Sequence, residues 1–445
     1  MARLFISFLG TNNYISCNYY VERPEKTEVK DVRFVQEAIA SIVCKTWGKN
    51  DRILIFVTED AKKRNWFDNG HLDRDKNIIP SEGLDKRLQK LNLTAPVSSV
   101  DIDEGLDNEG IWKIFHKVFD HIGEEDEVIF DITHAFRSIP MLAIVILNYA
   151  KVLKNIIISG IHYGPFEKLG YPSEVPSIPI EDRNVPILDL SAFDSLLDWS
   201  FGVERFVTSG DASRLAYLMK SHVKPVLAQT QGKNPFAKNL DRIGKGLNDF
   251  SNIIATCRAC DISEQVQSNK KNIAQYQDSN LLPAFKPLID KIERGFASFT
   301  GEPVNDGIES AKWCLKHNFI QQGLTLLLET MISHIVSVSK GDYLNQKDRE
   351  CAARLAQGVF KELRGENPRD EKPFEPAMEF VSNVTGYLRS NTDFTLSIGN
   401  LGPIRNDINH GGYREGAKKP ENFSHFLSEY ITKFENFLRT ATDVN

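Results

Sequence analysis

Arg405-Asn406-Asp407-Ile408-Asn409-His410 sets a permanent cation five positions before an imidazole, in a segment where nearly every side chain is polar. A guanidinium is a planar fork that matches phosphate oxygens. An imidazole exchanges protons near neutral pH. Together they suit the cleavage of a phosphodiester, with Asn406 adding an amide beside the cation. The spacing alone is unspecific, because Arg64 and His71 fit a looser Arg, four-to-six, His pattern. Gly402-Pro403 predicts the start of a short helix and Gly411-Gly412 its stop. On that helix Asn406 and His410 are i,i+4 neighbours, as are Arg405 and Asn409. A solvated surface helix fits the same pattern.

Two further polar clusters stand at the ends of apolar runs. Gly10-Thr11-Asn12-Asn13-Tyr14 follows Leu4–Leu9 and offers backbone N–H groups, a hydroxyl and amides to a phosphate or base. It has neither the GxGxxG spacing of a dinucleotide site nor the ending of a P-loop, and an ordinary strand-to-helix turn accounts for it equally. Asp131 to Ser138 closes another apolar run. There Thr133, His134, Arg137 and Ser138 can face an anion at the start of a helix that has Pro140 in its first turn. A capping set, with Ser138 as N-cap and Asp131 buried and bonded, is the alternative.

The elements that must position these clusters alternate in βαβ fashion over roughly the first 185 residues. Strands are expected at Leu4–Leu9, Arg52–Thr58, Val97–Ile102, Glu127–Ile132 and Asn155–Ile161. Helices are expected at Val32–Thr46, Glu82–Leu91, Glu109–Ile122 and Pro140–Leu153. The order predicts a doubly wound, Rossmann-like α/β sheet, whose ligands sit beyond the carboxyl ends of the strands. If the strands before Thr11 and before Thr133 adjoin, their loops form one polar floor. Tyr163–Pro186, carrying Pro165, Pro172, Pro176, Pro179 and Pro186, reads as a hairpin or an extended connector. Beyond it the pattern is all-α: helices over Phe193–Val207, Ala212–Leu227, Leu240–Ala259, Leu281–Phe299, Gly307–Val336, Lys347–Leu363, Pro376–Leu388, Ile404–His410 and Asn422–Thr440. The expected division is 1–185, an α/β domain; 186–300, a helical connector; and 301–445, a second helical domain.

With 54 Lys and Arg against 60 Asp and Glu, the 445-residue chain carries a net charge of −6. That excludes a broadly basic nucleic-acid coat, though not a local basic cleft. No apolar run approaches the roughly 20 residues of a membrane helix, and no secretory signal is expected. The six cysteines are scattered, which points to reduced thiols and a cytoplasmic location. Cys257 and Cys260 form one CxxC without a second ligand pair, so no metal site is expected.

Taken together, Gly10–Tyr14, Asp131–Met141, Trp313–Ile335 and Arg405–His410 resemble the CRISPR-associated accessory ribonucleases that join a CARF sensor to a HEPN nuclease. The first two stretches resemble the CARF part, the third a leading HEPN helix and the fourth the RxxxxH motif of active HEPN nucleases. The resemblance implies a type III CRISPR effector whose CARF domain binds an allosteric activator, a cyclic oligoadenylate, with tetra-adenylate favoured over hexa-adenylate. It implies a metal-independent endoribonuclease that cuts single-stranded RNA through the ribose 2′-OH, without a cofactor. Arg405 and His410 match the motif's Arg and His, and Asn406 the polar residue that follows the Arg. Gly10, Thr11, Asn12, Asn13, Thr133, His134, Arg137 and Ser138 would hold the activator. A homodimer or higher homo-oligomer is implied, because two motifs then face one cleft. Two other functions stay open: a sensor with a helical effector that is not a nuclease, and a ring nuclease acting on the cyclic oligoadenylate in the N-terminal domain.

Overall fold

Arg3–Leu9 is buried at every position after Arg3, as expected of a parallel strand covered on both faces. In the computed structural model, which describes residues 1–22, 26–133, 139–276, 285–367, 376–413 and 415–442, this run is the central strand β1. The chain divides into two units, Met1–Ser195 and Leu196–Asn445.

In the first unit the strands are β1 (Arg3–Leu9), β2 (Cys17–Val21), β3 (Thr27–Val32), β4 (Arg52–Val57), β5 (His71–Leu72), β6 (Ile78–Ile79), β7 (Val97–Asp101), β8 (Glu127–Asp131), β9 (Ile157–Tyr163), β10 (Asn184–Pro186) and β11 (Leu188–Asp189). The helices are α1 (Val35–Val43), the single turn α2 (Glu59–Ala61) running into a π-helical turn (Lys62–Trp66), α3 (Leu84–Lys90), α4 (Asn108–His121) and α5 (Ile139–Lys154). The main sheet has the order β11-β9-β8-β1-β4-β7, parallel except for the antiparallel edge strand β11. Side-chain alternation splits its core in two. Phe5, Ile53, Ile55 and Val57 pack with Val35 and Ile39 of α1 and with Leu84 and Leu88 of α3. Leu4, Ile6, Phe8, Phe56 and Phe130 pack with Ile114 and Val118 of α4 and with Ala143 and Leu147 of α5. Helices on both faces of a parallel sheet make the unit doubly wound, as the sequence predicts.

The differences are local. The helix expected from Val32 begins at Val35, because Val32 ends β3. β2 and β3 are absent from the sequence reading: Thr27–Val32 is mostly exposed and shows no apolar alternation. The proline-rich stretch does not form a hairpin. It makes three 3₁₀ turns (Phe166–Leu169, Val175–Ser177 and Ile180–Asp182), then pairs β10 parallel to β2.

The second unit is helical: α6 (Ser191–Ser209, begun in the first unit), α7 (Ser213–Gln229), α8 (Pro235–Ala255), α9 (Ile262–Ala274), α10 (Lys286–Gly295), α11 (Pro303–Lys316), α12 (Ile320–Val338), α13 (Gln346–Leu363), α14 (Met378–Ser390), α15 (Thr392–Asn409) and α16 (Asn422–Thr442). Two of its helices correct the sequence reading. Gly307–Val336 is not one helix: the chain turns between α11 and α12, where Asn318 adopts φ 62°. Gly402-Pro403 does not begin a short helix either, because Pro403 lies inside the 18-residue α15. α9 escaped notice because only Ile262, Val266, Asn269 and Ile273 of its 13 residues are buried. Two apolar clusters fill the unit. One centres on Phe206, Phe250, Phe296 and Trp313, the other on Leu327, Met331, Leu401 and Phe434. In the second, the His334 ring lies within 6.0 Å of the Tyr387, Phe394, Phe434 and Phe437 rings and shares a 2.7 Å hydrogen bond with the Tyr387 hydroxyl.

Candidate functional site

Strand order reverses between β1 and β8, which adjoin in parallel with Ser7 opposite Asp131. The crevice beyond the carboxyl ends of two such strands is where doubly wound folds bind ligands. Both predicted loops, after Leu9 and after Asp131, leave the sheet here. Asp131 is wholly buried and accepts three hydrogen bonds: from the Ser7 hydroxyl at 2.7 Å, the Thr133 N–H at 3.0 Å and the Thr133 hydroxyl at 2.6 Å. Burial raises the pKa of its carboxyl, and the bonds from Thr133 and Ser7 oppose that shift. The Thr133 Oγ1 also accepts the Gly164 N–H at 2.8 Å, tying the end of β8 to the end of β9.

The Gly10–Tyr14 loop is held from outside its own sequence. Asn65, buried in the π-helical turn after β4, donates through Nδ2 to the carbonyls of Gly10 and Asn12, both at 2.8 Å. Its Oδ1 lies 2.9 Å from His71 Nε2. Arg33 donates to the Tyr14 carbonyl at 3.2 Å and to Asn13 Oδ1 at 3.0 Å, while its guanidinium lies over the Phe34 ring. The Gly10 N–H donates to the Tyr14 hydroxyl at 2.9 Å, and burial raises that phenol's pKa. The loop's shape is therefore braced by bonds within the protein itself.

Of the residues predicted for this site, Gly10, Thr11, Asn12, Asn13 and Thr133 gather at the switch point. Within the described residues the Thr11 and Asn12 side chains make no hydrogen bond, whereas the Thr133 hydroxyl and Asn13 Oδ1 are engaged inside the protein. His134, Arg137 and Ser138 lie outside the described residues. Asn65, Arg33 and Ser7 carry no sequence signal for this site, and His71 shows only in the loose Arg64–His71 pattern. They come from distant segments without periodicity, and only the fold brings them to the loop.

In the second unit, the last turns of α15 carry Arg405, Asn406, Asn409 and His410. At 3.6 residues per turn these four fan over one side of the helix, and Asp407 points inward. Asp407 is buried, and its Oδ2 accepts the Lys418 N–H at 2.8 Å, folding the following loop back on the helix. His410 is the C-cap. The Gly411 N–H bonds to the Ile408 carbonyl and the Gly412 N–H to the Asp407 carbonyl, with both glycines at positive φ (65° and 73°). This is a Schellman stop, and only glycine takes that backbone without strain. Gln321 of α12 donates to Asn409 Oδ1 at 3.2 Å. His410 and Asn406 are exposed and Arg405 half-buried. Arg405 Nε is enclosed without a hydrogen-bond partner, and among the described residues no carboxylate pairs with this guanidinium. A cleft of about 510 Å³ between α15 and α16, lined by Asp393, Ser397, Asn400, Lys433 and Asn436, opens on a different side of α15 from this group. Among the described residues, no three His, Cys, Asp or Glu side chains gather as metal ligands, and no helix is long and apolar enough to cross a membrane.

A doubly wound unit with an internally braced loop at its switch point is thus followed in the chain by a helical unit. Residues 4–164 match the family model described as the CRISPR system endoribonuclease Csx1, CARF domain, and residues 195–301 match that of the CRISPR-associated protein MJ1674, second domain. These matches support a CRISPR-associated accessory protein whose first unit resembles a CARF domain. The curated CRISPR-associated protein MJ1674 of Methanocaldococcus jannaschii is 24% identical over 275 residues, which are 60% of this chain. The chain spans only 38% of that protein's length. Among solved structures, Enterococcus italicus Csm6 bound to cyclic hexa-2′-fluoro-hexa-dAMP superposes over 98% of this chain and 93% of its own, at 12% identity and a TM-score of 0.41. So loose a superposition transfers no site.

Proposed function

We propose that this protein is a type III CRISPR endoribonuclease of the CARF–HEPN kind, switched on by a cyclic oligoadenylate and cutting single-stranded RNA without a metal. The Arg405 guanidinium, which has no partner among the described residues, carries the reading. A cation whose Nε is enclosed and without a partner among the described residues, on the same helix end as an exposed imidazole and two amides, suits an anionic substrate. In the proposed reaction the 2′-oxygen of the substrate attacks the adjacent phosphorus and its proton leaves to a base. The 5′-oxygen departs with a proton, and a 2′,3′-cyclic phosphate remains. Arg405 stabilises the charge on the phosphoryl oxygens, His410 serves the proton transfers, and Asn406 holds the substrate.

In this reading residues 1–185 sense the activator, residues 301–445 form the HEPN nuclease and residues 186–300 connect them. Gly10, Thr11, Asn12, Asn13 and Thr133, with His134, Arg137 and Ser138, hold a cyclic oligoadenylate, tetra-adenylate favoured over hexa-adenylate. One Arg and one His are sparse for a whole active site, and a homodimer brings two motifs to one cleft. The test is RNA cleavage in EDTA with and without cyclic tetra- and hexa-adenylate. Stimulated cleavage in EDTA is expected. No cleavage with either ring would favour a sensor whose helical effector is not a nuclease.

A further inference from the structure

Three residues past His410, Tyr413 is 96% exposed, more than any other large apolar side chain among the described residues. Water-exposed aromatics on free loops are ordinarily mobile, yet this one sits on a fixed base. Its N–H bonds to the His410 carbonyl at 3.4 Å, behind the Schellman stop at Gly411 and Gly412. At the far end of the loop the Asp407 carboxylate holds the Lys418 N–H, and the Lys418 ammonium lies over the Phe426 ring. The Tyr413 ring lies beside Gly411: a Cβ at Gly411 would stand 3.6 Å from Cδ2 and 3.7 Å from Cε2 of Tyr413. The ring is thus next to the residue bonded to His410, with most of its surface open to water.

We infer that Tyr413 is a stacking platform for an RNA base beside the cleaved bond; this rests on the reading of Arg405 and His410 as an RNA-cleaving pair. Stacking on an exposed aromatic is how single-stranded RNA is held independently of sequence, since every base offers a π face. A docked protein fits less well. In sequence Tyr413 is flanked by Gly411, Gly412, Glu415 and Gly416, and a single apolar side chain in such a polar, glycine-rich stretch makes no apolar patch. Tyr413 acts on binding and not on the proton transfers, so it favours the bound strand without touching the reacting atoms.

The experiment uses the full chain with its cyclic oligoadenylate and a fluorescein-labelled mixed-sequence single-stranded RNA. Tyr413→Ala should raise KM roughly tenfold, the order expected for one lost base stack, while kcat moves less than about twofold. Tyr413→Phe and Tyr413→Trp should retain the wild-type KM. An RNA abasic beside the cleaved bond should raise the wild-type KM towards that of Tyr413→Ala and leave that variant unaffected. Fluorescence anisotropy in a His410→Ala background should show the same weakening without cleavage. An unchanged KM in Tyr413→Ala, a loss confined to kcat, or an altered oligomeric state on size exclusion would each overturn the inference. A wild-type protein that neither binds nor cleaves the RNA overturns the underlying reading as well. Cleavage with Tyr413→Ala indistinguishable from wild type overturns this inference alone.

Discussion

Ser7 and Asp131 face each other across β1 and β8, and the Ser7 hydroxyl donates to the Asp131 carboxylate over 2.7 Å. The bond joins the two strands where the sheet reverses its order. Through Thr133 it continues to Gly164, so the ends of three neighbouring strands share one buried polar joint. Both candidate ligand loops therefore start from a fixed floor.

Asn65 should govern the sensor without touching its ligand. Asn65→Ala strips a donor from two carbonyls and a partner from His71, which should cost about 2–3 kcal/mol of stability in the first unit. The loop must then be ordered on binding, so the activator concentration for half-maximal RNA cleavage should rise at least roughly tenfold. Thr11→Ala should raise that concentration while leaving the melting temperature close to wild type. Titration of cleavage alongside thermal melts separates the two; unaltered activation in Asn65→Ala would remove the loop from the sensing site.

Arg405→Ala and His410→Ala should each abolish RNA cleavage. His410 is exposed, and Arg405 is half-buried without an ion pair among the described residues, so both variants should melt within about 1 kcal/mol of wild type and bind activator normally. Residual activity in His410→Ala at the wild-type level would sink the assignment.

Cleavage products should carry 2′,3′-cyclic phosphate or 3′-phosphate ends, and the rate should be unaffected by EDTA. An RNA with a single 2′-deoxyribose at the cut position should resist, because its nucleophile is missing. Efficient cutting of that substrate would refute the mechanism.

His334 should give the second unit an acid-sensitive limb. Enclosure by aromatic rings lowers its pKa from 6.5 to about 4, so the folded protein keeps it neutral. The unfolded chain binds the proton first as pH falls. Stability is therefore full above about pH 6.5 and declines towards pH 4, by about 3 kcal/mol in all. Denaturant melts across that range should show the loss, and His334→Phe should flatten it. A wild-type unit equally stable at pH 7 and pH 4.5 would contradict the sign.

The central strands were legible because a parallel strand covered on both faces reads as an unbroken apolar run: Arg3–Leu9 and Arg52–Val57 stand out at once. β3 was not, since its side chains are mostly exposed. The turn at Asn318 hid inside an apolar pattern that continues on both sides of it. Gly10–Tyr14 announced itself through composition, whereas its clamp did not, because Asn65 and Arg33 reach it only through the fold. The Gly411-Gly412 stop was visible, but the extent of α15 was not: Pro403 imitates a helix start while sitting in the interior of the helix.

α11 and α12 are a wall common to two rooms. Trp313 and Cys314 of α11 and Leu326 of α12 face the first apolar cluster, while Ile308 and Ala311 of α11 and Leu324 and Leu327 of α12 face the second. Trp313 lies parallel to Phe296 at 5.9 Å and meets Phe250 edge-on at 5.2 Å. A recombinant fragment ending at residue 301, where the match to the second family model stops, would keep Phe250 and Phe296 and lose the indole they pack against. One beginning at residue 301 would carry Trp313 without Phe206, Phe250 and Phe296. Either product would show water a large apolar surface and tend to precipitate, so expression boundaries for the helical unit belong outside 196–442, not between its two cores.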